Sequence, residues 1–310
     1  MSTANMVRIK AEQLSPESFL SEFVARNRPV IVTGEMASWD IGNNWTPQAL
    51  ERQVGDKTVQ VYNNYFDLQN LIPLRKYFAS HFGKAREPIT YEAPLPYVRW
   101  YTQLRDVKFF WADDAFDAFK ANWHNPSFLP GNDYLLPFAP GSMRADPVVD
   151  HFPARGLFIS PAGAKTSLHV DPWGSCAVLC QLYGHKRWYF YAPDQAEHLT
   201  NGTAMVDIAK PDRAMFPTFD KAVMSYECTL APGEIMYVPH GWFHQVHSES
   251  DAISLTWNFV HRTTQAALRA WLSQETLTDF DQSVLRFFYS VDKTQNVRDR
   301  VSAALEAVGG

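Results

Sequence analysis

Short runs of β-branched and aromatic residues, separated by turn signals, follow one another from Gly156 to Val260. Pro and Gly between the runs, as at 232–233 and 239–241, are typical of tight turns. The pattern predicts a compact antiparallel barrel or sandwich. The predicted strands are Leu157–Ser160, Ser167–Val170, Ala177–Leu182, Arg187–Tyr191, Tyr226–Leu230, Ile235–Val238, His244–His247 and Ile253–Val260.

The part of the chain before this region has a mixed pattern. Ser15 and Pro16 precede an apolar helical face and predict a helix over about 16–26, and Thr46 with Pro47 predicts the start of a second helix. Residues 29–34 and 58–62 are predicted strands, while 67–82 and 112–123 have helical spacing. Residues 124–154 are rich in Pro, Gly and Asn and predict connecting loops.

After Thr263 the pattern is helical again, with two apolar stripes. We therefore expect three parts: an α/β segment over 1–125 that packs on the core, the β core over 126–262 and a helical region over 263–310. Two helices could not hide both stripes alone, so we also predict a homodimer through the C-terminal helices; the alternative is that they cover the outside of the β core in a monomer. The stripes are Ala267, Leu268, Trp271 and Leu272, then Phe280, Val284, Phe287 and Phe288.

Composition and charge exclude several classes of protein. With 310 residues, 46% hydrophobic and 14% aromatic, the chain is an ordinary folded protein. The formal net charge is −5 and the basic residues are scattered, so nothing indicates nucleic-acid binding. The absence of a long apolar segment indicates a soluble, unexported protein. Three cysteines, an odd number, suit a reducing compartment, and we expect the cytoplasm.

His169 and Asp171 end a predicted strand, where residues two apart project to the same side. They are candidate metal ligands. A third ligand would come from a later strand, and two histidines with one carboxylate suit an Fe(II) that must also bind a cosubstrate and O2.

Three histidines compete for the third position, namely His240, His244 and His247. His240 and His244 are four residues apart, the spacing of a zinc site on a helix. Pro239 and Gly241 disfavour a helix at this point, so a helical zinc site is not expected. In a strand His244 and His247 point to opposite faces, but periodicity alone does not tell which face is inward.

The chain carries five ordered motifs, at Leu168–Gly174, Gly184–Trp188, Pro232–Glu234, Val238–His244 and Thr256–Phe259. Together they closely resemble the Jumonji C oxygenases, and the subgroup is similar to the small hydroxylases such as factor inhibiting HIF. The resemblance covers roughly residues 15–260 and implies a double-stranded β-helix (cupin, jelly-roll) core within a mainly β protein with flanking helices. It also implies that His244 completes the iron site with His169 and Asp171.

The same resemblance implies a binding site for 2-oxoglutarate. Lys186 matches the lysine that pairs with the distal carboxylate, Thr166 matches a threonine that bonds it, and Tyr101 matches an assisting tyrosine. Thr256 and Asn258 fall where relatives place polar pocket residues. Leu179 departs from the family pattern, since many relatives have asparagine there.

The implied reaction couples hydroxylation of a C–H bond by O2 to decarboxylation of 2-oxoglutarate to succinate. A protein or peptide side chain is the expected substrate, because demethylases of chromatin tend to carry reader domains. The alternatives are a small metabolite or modified nucleotide as substrate, a cupin metalloenzyme that does not use 2-oxoglutarate, and an inactive scaffold protein.

Overall fold

Two β-sheets that face each other form the centre of the structure. The computed structural model describes residues 4–84, 95–137, 154–274 and 276–309. Its strands are β1 Arg8–Lys10, β2 Val30–Thr33, β3 Thr58–Tyr62, β4 Leu68–Pro73, β5 Tyr97–Tyr101, β6 Tyr134–Leu136, β7 Arg155–Ser160, β8 Lys165–His169, β9 Cys176–Tyr183, β10 Lys186–Tyr191, β11 Tyr226–Leu230, β12 Glu234–Val238, β13 Phe243–Ser248 and β14 Ala252–His261. Its helices are α1 Pro16–Phe19, α2 Ile41–Asn44, α3 Pro47–Val54, α4 Leu74–His81, α5 Asp113–Phe119, α6 Ala196–Leu199, α7 Gln265–Leu272, α8 Asp279–Tyr289 and α9 Val297–Gly309.

The larger sheet has the order β1-β2-β12-β9-β14-β7-β5-β3-β4, with β6 paired to β14, and the smaller sheet has the order β11-β10-β13-β8. All pairings between these strands except that of β1 with β2 are antiparallel. The chain passes back and forth between the two sheets from β7 to β14. Two facing antiparallel sheets connected in this way are the arrangement of a jelly roll. The predicted fold class, a double-stranded β-helix core with flanking helices, is therefore confirmed.

The eight predicted strands correspond to β7–β14 within a few residues at each end. The predicted helix over 67–82 is wrong in its first half, because Leu68–Pro73 is a strand that pairs with β3 before α4 begins. A partner strand thus overrides the helical spacing of the apolar residues. Most of the predicted loop, at 138–153, lies outside the described residues. The division at 125 and 262 stays a prediction, although strands from both sides of 125 share the larger sheet.

Alternation along the strands of the larger sheet separates the hydrophobic core from a cavity between the two sheets. In β14, Leu255 and Trp257 are buried in the main hydrophobic cluster, on the face covered by the N-terminal helices. Thr256 and Asn258, which lie between and beyond them, face the space between the sheets. Because successive side chains of a strand point to opposite faces, alternate residues of β14 pack in the core and line the cavity.

The C-terminal helices cover one end of the sheets. Leu268, Leu272, Val284 and Phe288 of the predicted stripes are buried in one cluster. A third helix, α9, contributes Val297, Val301 and Leu305 to that cluster and has no counterpart among the predicted elements. Much of the apolar surface that the sequence assigned to a dimer interface is therefore covered within the chain. None of the described helices is long and apolar enough to cross a membrane.

Candidate metal centre and adjoining pocket

Three side chains converge where β8 and β13 pair. His169 is the last residue of β8 and lies directly opposite His244 of β13, and Asp171 follows two residues later. The two imidazole rings are 4.1 Å apart between centroids, and Oδ2 of Asp171 is 3.9 Å from Nε2 of His244. One potential ligand atom from each residue lies within 4.8 Å of the others. The predicted triad is thus brought together by strand pairing.

The hydrogen bonds of the histidines fix how they face each other. Nδ1 of His169 is 2.8 Å from the carbonyl oxygen of Ser167, and Nδ1 of His244 is 3.1 Å from that of Trp242. Since a carbonyl oxygen only accepts, each Nδ1 carries a proton, and in the neutral ring the lone pair is then on Nε2. Burial, together with the nearby His244, holds the pKa of His169 well below its usual range. The two backbone hydrogen bonds therefore orient both rings so that Nε2 is the atom available to a metal.

Asp171 supplies the anionic member of the group. Its Oδ2 is buried and has no hydrogen-bond partner among the described residues. A buried carboxylate oxygen without a partner is costly, and a divalent cation at this point would satisfy it. Two neutral imidazoles and one carboxylate fit Fe(II), and they leave positions open for other ligands.

The two competing histidines lie elsewhere. His247 faces the opposite side of β13, where the amide of Gln245 lies 2.7 Å from its Nε2, and burial lowers the pKa of His247 to about 4. His240 lies in the turn before β13 and does not belong to the group of potential ligands. Of the three candidate histidines, His244 is therefore the one that lies with His169 and Asp171.

A cavity of about 470 Å³ opens beside the triad, between the two sheets. The residues that line it include Lys186, Thr166, Tyr101, Thr256 and Asn258, which are the five predicted cosubstrate residues. Leu179, the departure from the family pattern, lines it as well. Residues from both sheets that are distant along the chain thus meet at one site.

Lys186 lies at the inner end of the site and is fully buried. Its Nζ donates to the hydroxyl oxygens of Tyr97 and Ser254, each at 2.8 Å. Among the described residues no carboxylate lies within ion-pair distance of this ammonium group. A buried charge without a counter-ion is unfavourable, so the pocket is suited to an anion that enters from outside.

Tyr97, which the sequence did not single out, lies next to Lys186. Tyr101 also lines the cavity, but its ring packs against Phe158. Burial alone would raise the pKa of Tyr97, whereas the nearby Lys186 and Arg99 lower it below its usual value. The signal that could have found Tyr97 is the alternation in β5, where Tyr97, Arg99 and Tyr101 share the face that lines the cavity.

The hydroxyl of Thr166 reaches the same cavity through an irregularity in β8. His169 pairs with His244, but Thr166 pairs with Val246, so three steps along β8 match two along β13. A β-bulge of this kind lets residues three apart share one face of a strand. Thr256 and Asn258 are already partly engaged, since their side chains donate to the Val178 carbonyl and to the hydroxyl oxygen of Ser175, respectively.

The model of the cupin-like domain matches residues 16–265 of this chain. The chain belongs to the cupin-like domain family. This match covers every strand of the two sheets except β1 and all three candidate metal ligands, and the resemblance seen in the motifs is confirmed.

Several curated proteins are similar to this cupin-like chain. The bifunctional arginine demethylase and lysyl-hydroxylase psr-1 of Caenorhabditis elegans is 26% identical over 81% of this chain and 60% of its own length. The 2-oxoglutarate and iron-dependent oxygenase JMJD4 of Gallus gallus is 22% identical over 86% of this chain and 63% of its own. The arginine-specific demethylase JMJ22 of Arabidopsis thaliana is 25% identical over 97% of this chain and 54% of its own. The chain thus spans little more than half the length of the curated relatives it matches.

Proposed function

We propose that this chain is an Fe(II)- and 2-oxoglutarate-dependent oxygenase that hydroxylates a protein or peptide side chain. The observation that carries the proposal is a single cavity with two different ends. Two histidines and one carboxylate lie at one side, and a buried lysine that has no carboxylate partner among the described residues lies at the other. A 2-oxoacid with a distal carboxylate matches both ends. The names of JMJD4 and psr-1, which describe an oxygenase of this type and a lysyl-hydroxylase, support the proposal.

His169, Asp171 and His244 would hold the iron, and Lys186 with Thr166 would hold the distal carboxylate of 2-oxoglutarate. The bound iron and cosubstrate, together with O2, supply the oxidising power that inserts one oxygen atom into a C–H bond and yields succinate and CO2. The contribution of the chain is ligation, orientation and exclusion of water. Apolar side chains that line the cavity keep it dry, among them Leu179, Trp188 and Val246.

A protein substrate is supported by the relatives, whose names specify arginine or lysine as the residue acted on. The test is incubation of the iron-loaded chain with 2-oxoglutarate, O2 and a peptide digest of a cell extract. We expect release of CO2 in equal amount to succinate and a gain of one oxygen atom in specific peptides, detected by mass spectrometry. An Asp171→Ala variant in parallel identifies background oxidation.

Two outcomes would contradict the proposal in different ways. Production of succinate without any modified peptide, but with turnover of added metabolites, would assign the site to a small molecule. Tight metal binding without release of CO2 from 2-oxoglutarate would indicate a cupin metalloenzyme of another kind.

We also propose a cytoplasmic location and a homodimer. Free thiols at Cys176, Cys180 and Cys228 support a reducing compartment. Trp271 and Phe287, which are only partly buried against the C-terminal cluster, support a further contact at that surface.

A further inference from the structure

A second cation, Arg99, lies in the same pocket as Lys186. Its side chain is fully buried and extends from the middle of β5 into the space between the sheets. Among the described residues that line the cavity, Arg99, Arg105 and Lys186 are cations, whereas Asp171 is the single carboxylate. Asp171 belongs to the metal centre, and Arg105 is only partly buried, so the two fully buried cations, Arg99 and Lys186, face no protein anion in the described part of the chain.

The contacts of Arg99 place it beside the residues assigned to the cosubstrate. Its Nη2 donates to the Thr166 hydroxyl oxygen at 3.2 Å, and its Nη1 donates to the Asn63 carbonyl at 2.7 Å. The guanidinium carbon lies 4.4 Å from the centre of the Tyr97 ring, and Lys186 donates to the hydroxyl of that tyrosine. Arg99 and Lys186 therefore approach the same subsite from two sides.

The hydrogen-bonding capacity of Arg99 is not exhausted by these contacts. Nε, which lies on the same edge of the guanidinium as Nη2, is buried and has no partner in the part of the chain that the structure describes. Two donors along one edge of a guanidinium match the two oxygens of a carboxylate. Because Thr166 accepts from Arg99, its own hydroxyl proton is directed elsewhere and is available to the same anion.

Two aromatic rings stabilise the guanidinium of Arg99 but do not accept a hydrogen bond from its Nε. The Phe66 ring at 4.0 Å and the Tyr97 ring at 4.4 Å contact the guanidinium and offset part of its desolvation. They provide no hydrogen-bond acceptor for Nε. An uncompensated buried charge remains unfavourable, so an incoming anion is needed to complete the site.

We propose that Arg99 and Lys186 together form a two-cation subsite for the distal carboxylate of 2-oxoglutarate. This inference rests on the proposed function. It adds a specificity-determining residue on the larger sheet to the lysine and threonine of the smaller sheet, and the distal carboxylate is thereby held from both sheets.

The experiment compares two ligands on the Mn(II)-loaded chain by titration calorimetry. 2-Oxoglutarate has both a chelating end and a distal carboxylate, whereas oxalate chelates the metal but has no distal carboxylate. In Arg99→Met we expect the affinity for 2-oxoglutarate to fall roughly tenfold or more, and the affinity for oxalate to stay unchanged. The matched control is Arg105→Met, since Arg105 lines the same cavity but packs against Phe280, and it should change neither affinity.

Three further results would contradict the proposals, the first of them the proposed function and the other two the role of Arg99. If the wild-type chain binds the two ligands alike, the cosubstrate assignment and with it the proposed function is wrong. If the wild-type chain prefers 2-oxoglutarate and Arg99→Met keeps that preference, Arg99 does not serve the distal carboxylate. If Arg99→Met loses turnover but still prefers 2-oxoglutarate to oxalate, the anion that Arg99 binds belongs to the second substrate. This result also overturns the inference.

Equal loss of both ligands in Arg99→Met would assign the residue a purely structural role and overturn the inference. Should that variant not fold, Arg99→Lys decides the question, because it keeps the charge but lacks the second donor of the guanidinium edge. We expect it to weaken 2-oxoglutarate several-fold and to leave oxalate unaffected, and an unchanged affinity for both ligands would overturn the inference.

Discussion

At the scale of single residues, the site depends on which atoms are left without partners. Both histidines of the triad use Nδ1 for a backbone carbonyl and keep Nε2 for a metal. Asp171 keeps a buried oxygen without a partner among the described residues. These three atoms carry the lone pairs that a divalent cation needs, and neighbouring backbone groups keep the rings in place.

Replacing Asp171 with Ala should abolish turnover, because two neutral imidazoles would remain to hold a divalent ion. Iron occupancy should fall in parallel with succinate production, measured by metal analysis and by chromatography. An Asp194→Ala variant, which removes an exposed carboxylate, should behave like the wild-type chain. Near-native succinate production by Asp171→Ala at saturating Fe(II) would show that the ligand assignment is wrong.

Replacing Lys186 with Ala should raise the apparent Michaelis constant for 2-oxoglutarate at least tenfold, since a charge-assisted contact in a confined pocket contributes about 1.5 to 3 kcal/mol. Metal affinity should change little. The adjacent cation is a matched control, because Arg187 lies on the outer face of β10 and pairs with Glu227 and Glu249. Arg187→Ala should leave the Michaelis constant unchanged, and an effect as large as that of Lys186→Ala would move the carboxylate subsite elsewhere.

At the scale of secondary-structure elements, the turn after the metal ligands is held against the C-terminal helices. Gly174 has φ +61°, and a Cβ at this position would lie 2.6 Å from the carbonyl oxygen of Ala267 in α7. The indole nitrogen of Trp173 donates to Asp281 of α8 at 3.0 Å. The position of Asp171 thus depends on helices that come much later in the chain.

Replacing Gly174 with Ala should lower the free energy of unfolding by about 2 to 4 kcal/mol, since it adds strain at a positive φ and forces α7 away. Metal affinity should fall with it, because the turn also carries Asp171. Gly202 has a similar φ of +88° and nothing within 4 Å of its Cβ position, so Gly202→Ala should cost only about 1 to 2 kcal/mol. Denaturant titration of the two variants measures the difference, and equal losses would mean that α7 does not press on the turn.

At the scale of the whole molecule, the C-terminal helices are only partly covered by the rest of the chain. α9 closes much of the apolar surface that α7 and α8 present. Trp271 and Phe287 remain partly buried, and Phe280 is 44% exposed beside the mouth of the cavity. A dimer at this surface would therefore lie close to the site.

The predicted homodimer has an interface that includes Trp271 and Phe287. Light scattering should give twice the chain mass for the native protein and the chain mass for a variant with Trp271→Glu and Phe287→Glu, because charges at an apolar interface oppose association. Circular dichroism must show that the variant keeps its fold. A native protein with the mass of a single chain across micromolar concentrations would exclude the dimer.

The sequence by itself determined the strands of the β core, and it named the three side chains that meet where β8 and β13 pair and five residues that line the pocket beside them. The strands could be predicted because alternation and turn residues are local signals. The three metal ligands could be named because the His-x-Asp pair and the later His lie in motifs that resemble those of a known family. The family resemblance, not the alternation, assigned His244 and Lys186 to the site, since alternation separates the two faces of a strand without telling which one is inward.

Only the tertiary structure decided the rest, because it depends on pairings between distant segments. The strand Leu68–Pro73 forms on the edge of β3 against its helical spacing, and α9 packs on α8 without any signal that joins them in the sequence. The place of Tyr97 beside Lys186 and the burial of Arg99 against Thr166 arise where β5 faces the smaller sheet. No local pattern states which strands face each other, so the chemistry between the sheets becomes visible only after folding.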